Sequence, residues 1–351
     1  MTSRRSGWGT FVRHALEMAT IGLAVYLLLP QLAGLEATGE ALARSSWSVL
    51  AAVVALKVAS LLAYAEVGVL MVRRTGERPP KALMQRMTVV GLSLGRTLPG
   101  GSAAAMALNI RLLAADGVDP ARATAALAAT GAISSVVLAL LLPVASLLAF
   151  AGGQAGGVAQ GLLGAAAVVV LVATVLPITA RHPRRIAALA TLAERATAWL
   201  ARGPLRRRLH PEAAGDAVER GLYAVRDLTR DPRVLAWSGG WALANWLLDA
   251  AILLVIAATV GRGVPVASLL LAYIVGQVSM AVPITPGGVG VAEAGMTASL
   301  VAAGAPGAAA TATVLGYRIV SHWLPIAVGL LLLPTVTRGR RPPPPQRRPL
   351  R

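Results

Sequence analysis

The chain alternates long apolar stretches with short polar ones. Runs long enough to cross a bilayer, which takes about 20 apolar residues, occupy 15–35, 47–72, 123–149, 158–180, 234–260 and 308–334. Two further runs, 87–113 and 266–303, are interrupted in the middle. The first breaks at Leu98-Pro99-Gly100-Gly101 and the second at Pro283-Ile284-Thr285-Pro286-Gly287-Gly288. Pro removes a helical donor and Gly accepts the backbone of a tight reversal. Each interrupted run therefore predicts two short helices meeting at a tip, with arms of about twelve residues in the first, roughly half a bilayer. The run at 15–35 follows Arg4, Arg5 and Arg13, as the apolar core of a signal peptide would. It carries Glu17 and lacks a small-x-small cleavage pattern, so it reads as a retained first helix.

The polar connections set the orientation. Basic residues gather at the N-terminus, at 73–86 (Arg73, Arg74, Arg78, Lys81, Arg86), in 181–233, which holds twelve Arg against six Asp or Glu, and after 337. By the positive-inside bias these face the cytoplasm, and the basic-poor connections 36–46, 150–157 and 261–265 face outward. Counting crossings then forces 87–113 to leave the cytoplasmic side and come back to it. Segment 266–303 does the same from the outer side. The expectation is an all-α polytopic membrane protein with about six full spans and two re-entrant broken-helix hairpins. Its parts are an N-terminal membrane half (1–180), a basic cytoplasmic segment (181–233) with two amphipathic stripes, a C-terminal membrane half (234–337) and a basic Pro-rich tail (338–351). The expected location is the cell membrane, with both termini cytoplasmic.

The two breaks also repeat. Pro99-Gly100-Gly101 is followed by Gly117 and by Thr124 within Ala-Thr-Ala; Pro286-Gly287-Gly288 is followed at the same separations by Gly304 and by Thr311, again within Ala-Thr-Ala. Approached from opposite sides, these make an inverted-topology repeat, an arrangement common in carriers.

Composition narrows the chemistry. Only 14% of residues are charged, against roughly 25% in a soluble domain, which excludes a soluble enzyme. There is no Cys, and His14, His182, His210 and His322 are scattered without ligand spacing, which argues against a metal site. The net charge of +18 would suggest nucleic acid in a soluble protein. Here it is segregated into membrane flanks, so no nucleic-acid partner is expected. No phosphate-binding loop, catalytic triad order or dinucleotide fingerprint is present. We expect neither an enzyme nor a cofactor.

The residues PITPGGVGVAEAG (283–295) and LGYRIVSHWLPIAVG (315–329) resemble the flippase-like membrane family named for the transmembrane region of lysylphosphatidylglycerol synthase. That family carries a P-G-G-x-G-x-x-E element before a helix with a Tyr-Arg pair and a later Trp-x-Pro. The matching positions are Pro286, Gly287, Gly288, Gly290, Glu293, Tyr317, Arg318, Trp323 and Pro325. The stretch 98–113 resembles the family's first element but has no acidic residue after Gly101; Arg111 stands near the family's Arg position, and Asp249 fits the helix after the basic loop. The chain has no room for the soluble aminoacyl-transferase domain of the family's namesake. The resemblance therefore implies translocation of a lipid or lipid-linked substrate rather than lipid aminoacylation.

Charges inside spans are costly and mark cavities or partners. Lys57, Arg96, Glu293 and Arg318 fall at middle depth, Asp249 lies about a turn further toward the outside, and Asn245 stands near the midplane as interhelical glue. Two readings stay open: Lys57 with Asp249 and Glu293 with Arg318 form ion pairs that only hold helices together, or they also handle substrate. His322 reads as a packed core residue. Three positive charges face two negative ones, and the breaks place helix N-termini at Gly101 and Gly288, which favours an anion such as a phosphate. The candidate substrate-binding set is Lys57, Arg96, Pro99, Gly100, Gly101, Arg111, Asn245, Asp249, Pro286, Gly287, Gly288, Glu293, Tyr317 and Arg318. The expected partners are membrane lipids with an anionic headgroup, and an enzyme of lipid or envelope-glycan biosynthesis. The competing functional readings are an ion-coupled carrier of a small soluble anion and a non-transporting scaffold for such an enzyme.

Overall fold

The computed structural model describes residues 46–97, 101–152, 230–260, 264–280 and 288–337, with isolated positions between 184 and 195. The expected helices 15–35 and 158–180, nearly all of the basic segment, the tail, and Pro99, Gly100, Pro286 and Gly287 lie outside the described residues. Among the described residues the regular structure is helical, without a strand. The helices are α1 (Trp47–Arg74), α2 (Lys81–Thr97), α3 (Gly101–Ala115), α4 (Pro120–Ala151), α5 (Pro232–Val260), α6 (Val266–Met280), α7 (Val291–Ala302), α8 (Gly307–Arg318) and α9 (Leu324–Thr337). A π turn, Ile319–Trp323, joins α8 to α9.

Among the described residues four stretches are long and apolar enough to cross a membrane: α1, α4, α5 and the continuous run Gly307–Thr337. The first hairpin is longer than hydropathy suggests, with arms of 17 and 15 residues. Its polar first turn, Lys81 to Arg86, is helical although no apolar scale marks it.

Terminators repeat along with the helices. Gly117 and Gly304 both adopt positive φ, 92° and 91°. In each case the residue after the glycine closes back five residues, Val118 N to Leu113 O and Ala305 N to Leu300 O, both at 3.0 Å. Only Gly adopts that backbone without strain. Asp119 then caps α4, accepting from the amides of Ala121 and Arg122 at 3.0 Å, as Asp does at an N-cap.

The helix ends sort into two groups. Arg122 donates to the Thr75 carbonyl at 3.3 Å and pairs with Glu77 at 3.5 Å. Arg74 pairs with Asp231 at 3.6 Å. Such exposed pairs are worth about 0–1 kcal/mol, but they bring the end of α1 and the starts of α4 and α5 together at one basic end.

The apolar core is divided in the same way. One cluster holds Val67, Val69, Met71 and Val72 of α1, Leu83, Met84, Met87 and Val90 of α2, Leu112 and Leu113 of α3, the start of α4, Ala242 of α5 and Val336 of α9. The other holds Val53 of α1, the later turns of α4 and α5, and α6, α7 and α8. Both arms of the α2–α3 hairpin thus sit in the basic-end cluster, and both arms of the α6–α7 hairpin in the opposite one. Helix α2 packs on α9 and α6 packs on α4, so each hairpin leans on the long helix that follows the hairpin of the other half.

Outer and inner faces are inverted relative to a water-soluble bundle. On α1 the exposed side shows Val54, Val58 and Leu62, while Lys57 and Ser60 are buried. Leu140, Val144 and Leu147 of α4 and Leu243 and Leu247 of α5 are likewise exposed. An apolar exterior around a polar interior is what a hydrocarbon solvent selects.

Candidate functional site

The polar groups lie between the two apolar clusters. Helix α1 passes from Val53 in one cluster through Lys57 and Ser60 to Val67 in the other; α5 passes from Ala242 through Asn245 and Asp249 to Ala250. Ser60 donates to the Asn245 amide oxygen at 3.0 Å, fastening the two helices.

Asp249 is the centre of one network. Its Oδ1 accepts from Lys57 Nζ at 2.7 Å and from Ser321 Oγ at 2.6 Å. Its Oδ2 accepts from Tyr317 OH at 2.8 Å and from Tyr273 OH at 3.1 Å. Gln277 in turn donates to the Tyr317 hydroxyl at 2.9 Å. Tyr273 and Gln277 reach it from one face of α6, four residues apart. Four donors, one of them cationic, satisfy both oxygens of this buried carboxylate.

Glu293 is the centre of the second. Arg318 donates from Nε to its Oε1 at 2.6 Å, and the Gly290 amide donates to its Oε2 at 2.7 Å. The local sequence produces this. Gly288 and Gly290 have positive φ, 67° and 87°, so the helix starts only at Val291, and a Glu in its first turn reaches back to the free amide. The break therefore places the helix start three residues after Gly288, and its positive end already carries an anion, Glu293. Arg318 is not used up by this pair. Its Nη1 faces the Met280 thioether at 3.2 Å, a weak acceptor, and its Nη2 has no partner among the described residues.

The two networks meet at the π turn. Pro325 has no N–H to return to the carbonyl of Ser321, four residues back, and its ring crowds that carbonyl. The helix widens, with Leu324 N bonding to Ile319 O. Arg96, in the last turn of α2, donates from Nη1 to the Ser321 carbonyl at 2.9 Å. Among the described residues no carboxylate forms an ion pair with Arg96. Three cations thus face two carboxylates, and the uncompensated one stands beside the first hairpin tip. Arg318, against Met280 and Glu293, stands beside the second.

The layer brings together Lys57, Arg96, Asn245, Asp249, Glu293, Tyr317 and Arg318. It does not bring in Arg111, which is exposed near the end of α3. Gly101 is buried, and a Cβ there would collide with the Leu94 carbonyl of α2. At Gly288 a Cβ would come 2.7 Å from Met280 Cγ. Both glycines let the two arms of a hairpin meet. Ser321, Tyr273 and Gln277 escape a reading confined to ionisable groups. The available signal was their spacing: Ser321 stands one turn after Tyr317, and Tyr273 and Gln277 are uncommon residues in an apolar arm.

The family model of the lysylphosphatidylglycerol synthase transmembrane region matches residues 19–329. The chain belongs to this family. No curated protein matches it. Membership accords with the inverted faces and the four long apolar helices among the described residues: the chain is a membrane protein of a family linked to lipid-related processes. The family positions Gly290, Glu293, Tyr317, Arg318 and Pro325 fall in or beside the buried layer.

Proposed function

We propose that the protein is a flippase-like translocator of a lipid or lipid-linked anionic substrate and does no chemistry on it. The observation that carries this reading is the charged layer itself. It lies between two apolar cores, borders both hairpin tips and holds one cation more than it holds carboxylates. A purely structural layer gains nothing from an uncompensated charge in a low-dielectric setting. The repeated order of long, short, short and long helices, the matching turns at Gly117 and Gly304, and hairpins seated in opposite clusters support an inverted repeat with re-entrant hairpins. In such a repeat, alternating access arises when one half rocks against the other about a central site.

The test is transport in vesicles. The full chain is reconstituted with an anionic phospholipid fluorescently labelled on its headgroup, and a membrane-impermeant quencher is added. Protein-containing vesicles should lose the fluorescence of inner-leaflet lipid that protein-free vesicles protect. Arg96→Gln should abolish that gain while leaving the protein folded. Equal protection with and without protein would leave only a scaffold.

A further inference from the structure

His322 is 1% exposed and Arg318 is 3% exposed. Among the described residues the His322 side chain makes no hydrogen bond, and its Nδ1 is fully enclosed, as is the unpartnered Nη2 of Arg318. An enclosed polar atom without a partner is costly, and two of them one turn apart in a single helix call for a shared cause. Packing supplies none: the ring of Trp323 meets the imidazole edge-on, with centroids 5.3 Å apart, which satisfies no nitrogen. His322 also lies within electrostatic reach of Arg318, Arg96 and Lys57, so its ring borders the charged layer. The widened π turn, Ile319–Trp323, begins directly after Arg318 and contains His322, and such turns recur at functional sites.

We propose that Arg318 Nη2 and His322 form a subsite for a singly charged phosphodiester, the anionic linkage of a phospholipid headgroup. This rests on the translocator reading and names the group that would be held. The guanidinium offers a free N–H for one phosphate oxygen, and the imidazole, in the tautomer that carries its proton on Nδ1, offers a second. The charge count selects the ligand. Lys57 balances Asp249, and Arg318 balances Glu293. The remaining charge of Arg96 matches one negative charge, as on a phosphodiester, rather than the two of a phosphomonoester. His322 is a positioning and binding residue here, and no bond is made or broken.

The experiment measures binding by titration calorimetry on the full chain in detergent. The probes are dihexanoyl phosphatidylglycerol, dihexanoyl phosphatidylcholine and inorganic phosphate. The parent should bind the anionic lipid, and bind the zwitterionic lipid and inorganic phosphate at least tenfold more weakly. His322→Phe and His322→Leu should each weaken the anionic lipid about tenfold, while His322→Gln, which keeps an N–H, should stay within threefold of the parent. Without lipid, the Phe variant should melt no lower than the parent, because it removes an unsatisfied polar group. If the apolar variants bind as the parent does, or only melt earlier, His322 is packing and the inference falls. Tight binding of inorganic phosphate overturns the lipid assignment. The vesicle assay on the same proteins separates the two levels. A parent that transports alongside an unaffected His322→Phe sinks this subsite alone, whereas a parent that moves no lipid sinks the translocator reading.

Discussion

Asp249 accepts four hydrogen bonds and Glu293 two, so the two buried carboxylates differ in what their loss would expose. Asp249→Asn leaves Lys57 buried without its counter-ion, and removing one partner of a buried pair costs about 3–5 kcal/mol. We expect a clear drop in melting temperature in detergent. The Lys57→Met, Asp249→Leu double variant should recover part of it, and an additive loss in the cycle would show that the two do not act as a pair. Glu293→Gln with Arg318→Gln gives a second cycle. If the pair only holds α7 to α8, the double variant should be milder than either single one and keep transport. If Arg318 also holds substrate, the double variant should fold and be inactive. Ionisable residues in apolar runs were legible from the chain because hydrocarbon makes them conspicuous. Tyr273, Gln277 and Ser321 were not, since hydroxyls and amides are common interhelical bonds whose partners only the packing reveals.

Among the elements, the hairpins depend most on single residues. A methyl at Gly101 meets backbone of the opposing arm, the Leu94 and Gly95 carbonyls, and backbone cannot rotate aside. Gly101→Ala should therefore cost about 1–3 kcal/mol as overpacking. Gly131→Ala in α4, where a Cβ meets nothing within 4 Å, should leave the melting temperature unchanged or raise it slightly. Equal melting of the two would show that the arms do not touch at Gly101. For the same reason Gly288→Leu reports on Met280 before it reports on any ligand. Helix α2 is fastened to α9 by Ser93 Oγ, which donates to the Ile326 carbonyl at 2.7 Å, and by Gly329, where a Cβ would meet the Val89 carbonyl at 2.6 Å. The breaks were legible because Pro and Gly punctuate a run so strongly. The length of the first arm was not, because its polar first turn is held by the burial of Leu83 and Met84 and by the Lys81–Glu66 pair rather than by hydropathy, and the π turn was hidden because Pro325 alone does not say whether a helix kinks or widens.

At the scale of the whole molecule, the ends of the helices make the sharpest prediction. Single cysteines placed in this Cys-free chain at Arg78 and Ala121, both exposed, should be labelled by a membrane-impermeant thiol reagent from one side, the cytoplasmic side by the charge argument. A cysteine at the exposed Val266 should be labelled only from the other. Labelling of Arg78→Cys and Ala121→Cys from opposite sides would make the α2–α3 hairpin a full crossing. Parity counting alone arrives at the same grouping, since it needs only the sign of each connection. How the halves interlock was out of its reach, because contacts between α2 and α9 or α4 and α6 join residues far apart in the chain. That distance also has a consequence in time. Lys57 lies 192 residues before Asp249, and Arg96 lies 225 before Ser321. At about 5–20 residues per second of translation, the ribosome delivers Lys57 to the bilayer roughly 10–40 seconds before its counter-ion exists. The nascent first half must wait with bare cations, shielded by water, lipid phosphates or the insertion machinery. Expressed alone it should be a substrate for quality-control proteolysis, and supplying the second half as a separate polypeptide should lengthen its lifetime in a pulse-chase.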